Sequence, residues 1–435
     1  MGARLAWIGL LLLLLLFPGC ASGPEAPGRV EALQPLRPEG VEALRETIRG
    51  FEERPAYLGS VALVQRVGQV VLQEGFNGSD LDPQQPYGPE TIFPIASMTK
   101  PIVSVVAMQL VEEGRLDLQD PVERYLPAFA DPVLARFDEE GLLIGTRPAA
   151  RSITIADLLA HTSGLCYAGY EEGPMKALYE GAGLDRDFES SRALAEAIAG
   201  LPLAFDPGSE WRYGRSTDVL GAVLEEVCGA SLEAVLRERV FEPLGMLDTS
   251  FYVPDHKRGR LCASRRRPRD LGSSSPPWIP VPASALSSEP AVCNAGGGLF
   301  STAEDYLRFC EMLLGEGARD GVRLLSSESV RLMTTERIAG LPRPRFLGDR
   351  GFGLGFALLT EASAGPLNGS VGAFHWSGIH GTSFFVDPEH DLIGVFLVHQ
   401  RRDFSYMVAF RKAVYAALPG YEPEPAPASG SEVGE

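Results

Sequence analysis

The chain has 435 residues, 45% hydrophobic and 22% charged, enough to bury a large core. That length suits two or three domains, or one enzyme domain with a large insertion. Its formal net charge of -18 argues against a nucleic-acid partner, because neutralising phosphates takes a basic face. The one local exception, Lys257–Arg269 with Arg258, Arg260, Arg265, Arg266 and Arg267, reads as a solvated loop.

Arg4 precedes the apolar run Ile8–Phe17, which Pro18-Gly19-Cys20 closes. A bilayer span takes about twenty residues, so residues 1–20 read as a signal peptide. A small residue before Cys resembles a bacterial lipobox. It implies an exported lipoprotein of the cell envelope, anchored to the periplasm-facing or outer membrane through Cys20 as its first mature residue. Phe17 and Pro18 fit that pattern poorly, which leaves ordinary signal-peptidase cleavage nearby as the alternative. Residues 21–40, rich in Pro, Gly and Glu, read as a flexible tether, and 419–435 as a disordered tail. The remaining cysteines, Cys166, Cys228, Cys262, Cys293 and Cys310, show no metal-ligand spacing and are odd in number. Cys228 and Cys310 fall in apolar helical patterns as small core residues.

Between tether and tail, residues 41–418 read as one domain. Val41–Phe51 is an amphipathic helix, and Val61–Arg66 and Gln69–Gly75 form a hairpin around Val67-Gly68. The apolar helix Pro101–Glu113 follows and ends near Gly114. Roughly 115–290 is a helical lobe with long loops. Helices begin there at Thr154–Ala160, Asp187–Ala199, Asp218–Val227 and Leu232–Val240. Strand patterns return at Gly353–Leu359, Ala373–Trp376, Thr382–Val386 and Leu392–Val398, before a closing helix at Asp403–Leu418. Strands at both ends with helices between predict an α/β (α+β) fold. One antiparallel sheet would be built from both chain ends, with a helical lobe inserted and a site in the cleft between.

Three segments carry chemistry. Ser97-Met98-Thr99-Lys100 puts a hydroxyl one helical turn before an ammonium, so Lys100 can reach the Ser97 oxygen. The helix N-terminus favours the negative charge of an acyl-transfer step. Lysine is scarce, at Lys100, Lys176, Lys257 and Lys412, and among these Lys100 alone has Ser three residues before it. Tyr213 stands in Pro207-Gly208-Ser209-Glu210-Trp211-Arg212-Tyr213-Gly214-Arg215, on a loop before a helix. His375-Trp376-Ser377-Gly378-Ile379-His380-Gly381-Thr382 leads into a strand, where Gly allows close backbone approach to a ligand.

In this order the three segments resemble the serine β-lactamase and penicillin-binding-protein superfamily. The chain looks most like class C β-lactamases and, closer still, the family VIII carboxylesterases. The likeness runs from about Val41 to Leu418 and includes Thr154–Leu165 and Gly296–Asp305. It implies Ser97 as nucleophile, Lys100 as its proton partner and Tyr213 as general base in preference to Lys100. The oxyanion would be held by the Ser97 and Ile379 backbone N–H groups. A tyrosine titrates near 10, so Tyr213 would act as a base only if cations such as Lys100 lower its pKa. Two departures matter. Arg215 stands where class C enzymes place Asn after Tyr-x, and Gly214 replaces the intervening Ser of the esterases. Trp376-Ser377-Gly378 stands where class C enzymes carry Lys-Thr-Gly, so an apolar wall replaces the cation that takes a β-lactam carboxylate.

These features imply a serine hydrolase of small carboxylic esters, with no cofactor and no metal. The alternatives are a D-amino-acid peptidase, D-Ala-D-Ala carboxypeptidase or weak β-lactamase acting on cell-wall-type substrates, and a non-catalytic penicillin-binding module. Trp376 weighs against the first of these, although an arginine elsewhere in the cleft could take the carboxylate. His161–Leu165 reads as a structural loop. Asp218 reads as a helix-start residue, and His375 and His380 as residues flanking the third segment, His380 with a possible substrate contact.

Overall fold

The computed structural model describes residues 33–421 apart from 55–56, 79–85, 267–278 and 401. The expected signal segment with Cys20, most of the tether, Arg267, Arg269 and the tail beyond Tyr421 lie outside those residues. Among the described residues no helix is long and apolar enough to cross a membrane.

Helix α1 (Pro38–Arg49) opens the fold three residues before the expected start. It leads into the hairpin of β1 (Gly59–Arg66) and β2 (Gln69–Asn77), turning at Val67 and Gly68, both at positive φ. Then come α2 (Thr99–Glu112), α3 (Ile155–Ala160), α4 (Ser191–Ala199), α5 (Ser216–Cys228) and α6 (Ala303–Leu314). The chain returns to the sheet through β3 (Gly351–Phe352), β4 (Ala357–Leu358), β5 (Phe374–Ser377), β6 (Ser383–Asp387) and β7 (Leu392–Val398), and closes with α7 (Ser405–Ala416). The seven strands lie in the order β3-β4-β5-β6-β7-β1-β2, every pair antiparallel. The sheet from both chain ends is as the strand pattern predicted.

Every residue of β1 and β7 is buried, because α1 and α7 cover one face of the sheet and α2 and α6 the other. Such two-sided burial explains why these strands read as continuous apolar runs rather than alternating ones. Helix α2 is buried from Thr99 to Leu110, as a helix apolar on all sides must be. Its N-terminus, and Ser97 with it, is thereby anchored in the core beside the sheet.

Of the expected strand Gly353–Leu359 only Ala357–Leu358 is extended and paired, with Gly351–Phe352 paired to it from before the expected start. Gly353 donates to the Phe356 carbonyl in a turn, and Gly355 adopts φ +99° against α2. A Cβ on Gly355 would lie 2.4 Å from Ser104 Oγ, so the break brings this edge against the helix that follows Ser97. The inserted lobe contains the expected helices and also a hairpin, Val133–Phe137 with Leu143–Pro148. Exposure of every residue in Leu143–Pro148 hides the alternation that would have marked it as a strand.

Candidate active site

Ser97 sits in the 3-10 turn Ala96–Met98 that runs directly into α2. Ala96 holds φ +46°, an unfavourable conformation for a residue with a side chain. It is over-determined by its neighbours. Leu299 O accepts from Ile95 N, and Thr382 Oγ1 donates to Ile95 O at 3.2 Å. Gly378 explains itself here: a Cβ would fall 2.6 Å from Ile95 O and 3.1 Å from Ala96 Cβ. The absence of a side chain lets the end of β5 close onto the turn that carries Ser97.

The structure brings Ser97, Lys100 and Tyr213 together. Tyr213 OH donates to Ser97 Oγ at 2.6 Å, and Lys100 Nζ lies 3.5 Å from the same oxygen. Lys100 is buried, with its Nζ 2.5 Å from Gly296 O and 4.6 Å from the Tyr213 ring centre. Burial pushes its ammonium down to about 7, with the Asp218 charge opposing that fall and Arg215 adding to it. Tyr213 behaves opposite to the sequence expectation. Burial drives its pKa well above the ordinary value, and the nearby Ser97 hydroxyl and Trp376 indole only partly offset this. Lys100 does not lower it, because an amine that titrates near 7 is already neutral at the pH where a phenol loses its proton.

The Tyr213 loop is held by the segment His161–Leu165. Thr154 and Asp157 form a capping box at the start of α3, and Arg151 grips Asp157 through two hydrogen bonds of 2.6 and 2.9 Å. His161 ends the helix at φ +56°, buried 5.0 Å from the Tyr213 ring. Its carbonyl accepts from Arg212 N, and its Nδ1 lies 3.4 Å from Gly214 N. Burial keeps the His161 imidazole neutral, so it serves as packing. Gly214 is required by contact: a Cβ there would lie 1.9 Å from Leu165 O. The departure from the esterase Ser therefore has a local steric cause.

Tyr167, outside the sequence reading, and Asp218, read there only as a helix-start residue, complete the site. Tyr167 OH donates to Asp218 Oδ2 at 2.7 Å and lies 3.5 Å from Lys100 Nζ. Asp218 does stand in the first turn of α5, but its buried carboxylate faces this network rather than capping the helix. Arg215 lies over the Tyr167 ring at 4.9 Å and pairs with Asp185 at 2.7 Å. Gly296 makes room for the cluster, since a Cβ would meet Tyr167 OH at 2.4 Å.

Ser97 opens onto two spaces. A cavity of about 380 Å³ is walled by Tyr170, Tyr213, Phe346 and Trp376, with Ser377, Gly378 and Ile379 along one side. A more polar space of about 620 Å³ is bordered by Arg186, Arg215, Asn294, Ile379 and His380. His380 stacks edge-on against His399 at 4.5 Å, and His375 lines the first cavity. Among the described residues no cluster of His, Cys, Asp or Glu is arranged to hold a metal ion. A hydroxyl held between an aromatic chamber and a polar one, beside a buried amine and a phenol, can take an acyl group from a substrate in either space.

The family model for β-lactamase matches residues 44–417. The chain is 40% identical over 366 residues to Protein Rv1367c of Mycobacterium tuberculosis, covering 80% of this chain and 87% of that one. It is 31% identical over 377 residues to Esterase EstB of Burkholderia gladioli, covering 82% and 91%. The solved structure of EstCE1, a hydrolase with promiscuous acyltransferase activity, matches with TM-score 0.68 and 28% identity over 86% of this chain and 98% of that one. The chain belongs to the β-lactamase family and is a serine hydrolase of the β-lactamase and penicillin-binding-protein superfamily, near the family VIII carboxylesterases.

Proposed function

We propose that the protein hydrolyses small carboxylic esters through an acyl-enzyme on Ser97. The observation that carries this reading is the Tyr213 OH to Ser97 Oγ contact of 2.6 Å with Lys100 Nζ at 3.5 Å, all facing one aromatic-walled cavity. Because Tyr213 donates to Oγ, the Ser97 proton is left to face the Lys100 amine, which burial keeps partly neutral near pH 7. Lys100 therefore takes the proton as Oγ attacks the ester carbonyl. Tyr213, kept protonated by burial, gives its proton to the departing alkoxide, and the Lys100 ammonium returns one to the phenolate. Water then repeats the sequence on the acyl-enzyme. The Ser97 and Ile379 N–H groups are the oxyanion donors in this scheme, each worth about 3–4 kcal/mol of barrier. The esterase relatives support ester substrates, and the Trp376 indole in the cavity wall supports an uncharged group beside the scissile bond. An N-terminal lipid anchor on Cys20, holding the enzyme in the cell envelope, belongs to the same proposal.

Ser97→Ala tests it. Ester hydrolysis and covalent labelling by a fluorophosphonate should both vanish, with thermal stability nearly unchanged. Intact-protein mass spectrometry should show one adduct on wild type, and an adduct persisting on the Ala protein would overturn the assignment.

A further inference from the structure

The cavity beside Ser97 contains two arginines that the hydrolytic scheme does not use. Arg350 enters from the segment before β3, and Arg411 from α7. His375 of β5 and Asn368 line the same space. The two arginines lack the carboxylate partner that several partly buried arginines of this acidic chain have. Arg151 holds Asp157, Arg212 holds Glu171, Arg215 holds Asp185 and Arg239 holds Glu113. Arg411 makes no ion pair or hydrogen bond among the described residues; its guanidinium lies 5.6 Å from the Phe385 ring centre. Arg350 spends one nitrogen on the Leu347 carbonyl at 3.3 Å, and its Nε is buried with no partner. His375 Nε2 is likewise buried without one. Asp387, a carboxylate acting on nearby Tyr415, is already taken by the Tyr415 hydroxyl at 2.9 Å and the Ser370 amide at 3.0 Å.

Two unpaired guanidinium groups and an unpaired imidazole in one partly enclosed space are unfavourable when empty. Burial and mutual repulsion bring Arg411 down to about 10 and hold His375 neutral, so at neutral pH both arginines keep their charge and His375 can donate from one nitrogen. Trp376 lies against Tyr213, the residue that contacts Ser97 Oγ, with ring centres 5.3 Å apart, whereas the cations come from α7 and from the segment before β3. The cavity therefore joins an aromatic wall beside Ser97 to a cationic lining from other elements.

We infer that Arg350 and Arg411, together with His375, bind a carboxylate carried by the substrate away from the ester being cleaved. This rests on the esterase reading and narrows its substrate class to half-esters and other carboxylate-bearing esters. A planar guanidinium fork suits a carboxylate, and two forks from different segments fix its direction.

The test compares kcat/KM of the full enzyme on mono(4-nitrophenyl) glutarate, with the charge on the acyl half, 4-carboxyphenyl pentanoate, with the charge on the alcohol half, and neutral 4-nitrophenyl and phenyl pentanoates. Each charged ester is read against the neutral ester of like leaving group. One charged ester should exceed its partner by at least about ten-fold, the size of one charge-assisted hydrogen bond, mainly through KM. The preferred ester identifies the half that carries the carboxylate. Arg350→Gln and Arg411→Gln should each reduce that ratio about ten-fold, and Arg411→Lys should retain part of it. Ratios within one protein cancel any general loss of activity. Where a variant does not fold, wild type alone decides: glutarate should inhibit pentanoate hydrolysis competitively and glutaramide should not. Charged-to-neutral ratios at or below one, ratios unmoved in folded Gln variants, or no inhibition by glutarate would overturn the inference while leaving ester hydrolysis standing. No turnover of any ester, with no labelling of Ser97, would instead remove the esterase reading and this inference with it.

Discussion

Replacing Asp218 by Asn tests whether Lys100 is the group whose proton state governs the reaction. Hydrogen bonds of 3.5 and 2.7 Å through Tyr167 OH place the Asp218 carboxylate within about 6 Å of Lys100 Nζ. At an effective dielectric of about 20, a unit charge at about 6 Å is worth about 3 kcal/mol, or roughly two decades of proton affinity. Asp218 supports the charged form of Lys100, so removing it should carry the amine from about 7 toward about 5. Arg215, losing an opposing charge, acts in the same direction. Asn retains an acceptor for Tyr167 OH and preserves the geometry. In the proposed scheme neutral Lys100 accepts the proton, so kcat/KM should rise as pH passes upward through its pKa. The acid limb should therefore lie near pH 7 in wild type and move to lower pH in the variant. A pH-stat assay of a neutral ester, repeated as the pH dependence of phosphonate labelling, reads the free-enzyme limb directly. A limb that stays in place or moves upward in Asp218→Asn would refute the reasoning. A wild-type limb near 10 or above would point to Tyr213 as the base.

Trp376→Lys should lower turnover of uncharged esters and improve relative binding of anionic substrates, a swing of about 1–3 kcal/mol measured with nitrophenyl butyrate and nitrocefin. A wild type that already prefers nitrocefin would replace the esterase reading with the β-lactamase one. Gly214→Ala forces a methyl toward the Leu165 carbonyl and should destabilise by about 1–3 kcal/mol in urea unfolding, with kcat falling as Tyr213 shifts. Unchanged stability and rate would show that the loop relaxes freely. Cys20→Ala should release the protein from the membrane fraction of a bacterial host and abolish palmitate labelling; no difference between the two forms would remove the lipid anchor.

The terminal strands and the nucleophile helix were readable because each is dominated by local pattern: long apolar runs for β1 and β7, and an all-apolar helix behind Ser97. Ser97, Lys100 and Tyr213 carried recognisable neighbours. Asp218 was hidden by a sufficient local explanation, since an acid in the first turn of a helix needs no other cause. Tyr167 had a signal, its place just after His161–Leu165, but its contact with Lys100 spans 67 residues. The upward push on Tyr213 was not legible, because charge is visible in a sequence and desolvation is not. Arg350 and Arg411 appear unremarkable in a linear reading; their lack of counter-charges exists only in three dimensions.

The packing of α1 against α7 closes the folded chain into a near-ring. Arg37 reaches the carbonyls of Ala416 and Leu418, and Gly40 abuts Ala417 so tightly that a Cβ would lie 2.6 Å from its Cα. Entry and exit thus share one corner, while the other end of α7 lends Phe404, Met407 and Val408 to the cavity wall. Attachments at either end would depart from one point, and tension on either would act on the same helix. Joining the ends with a short linker and reopening the chain at the exposed Leu142–Ile144 hairpin should yield a circularly permuted hydrolase.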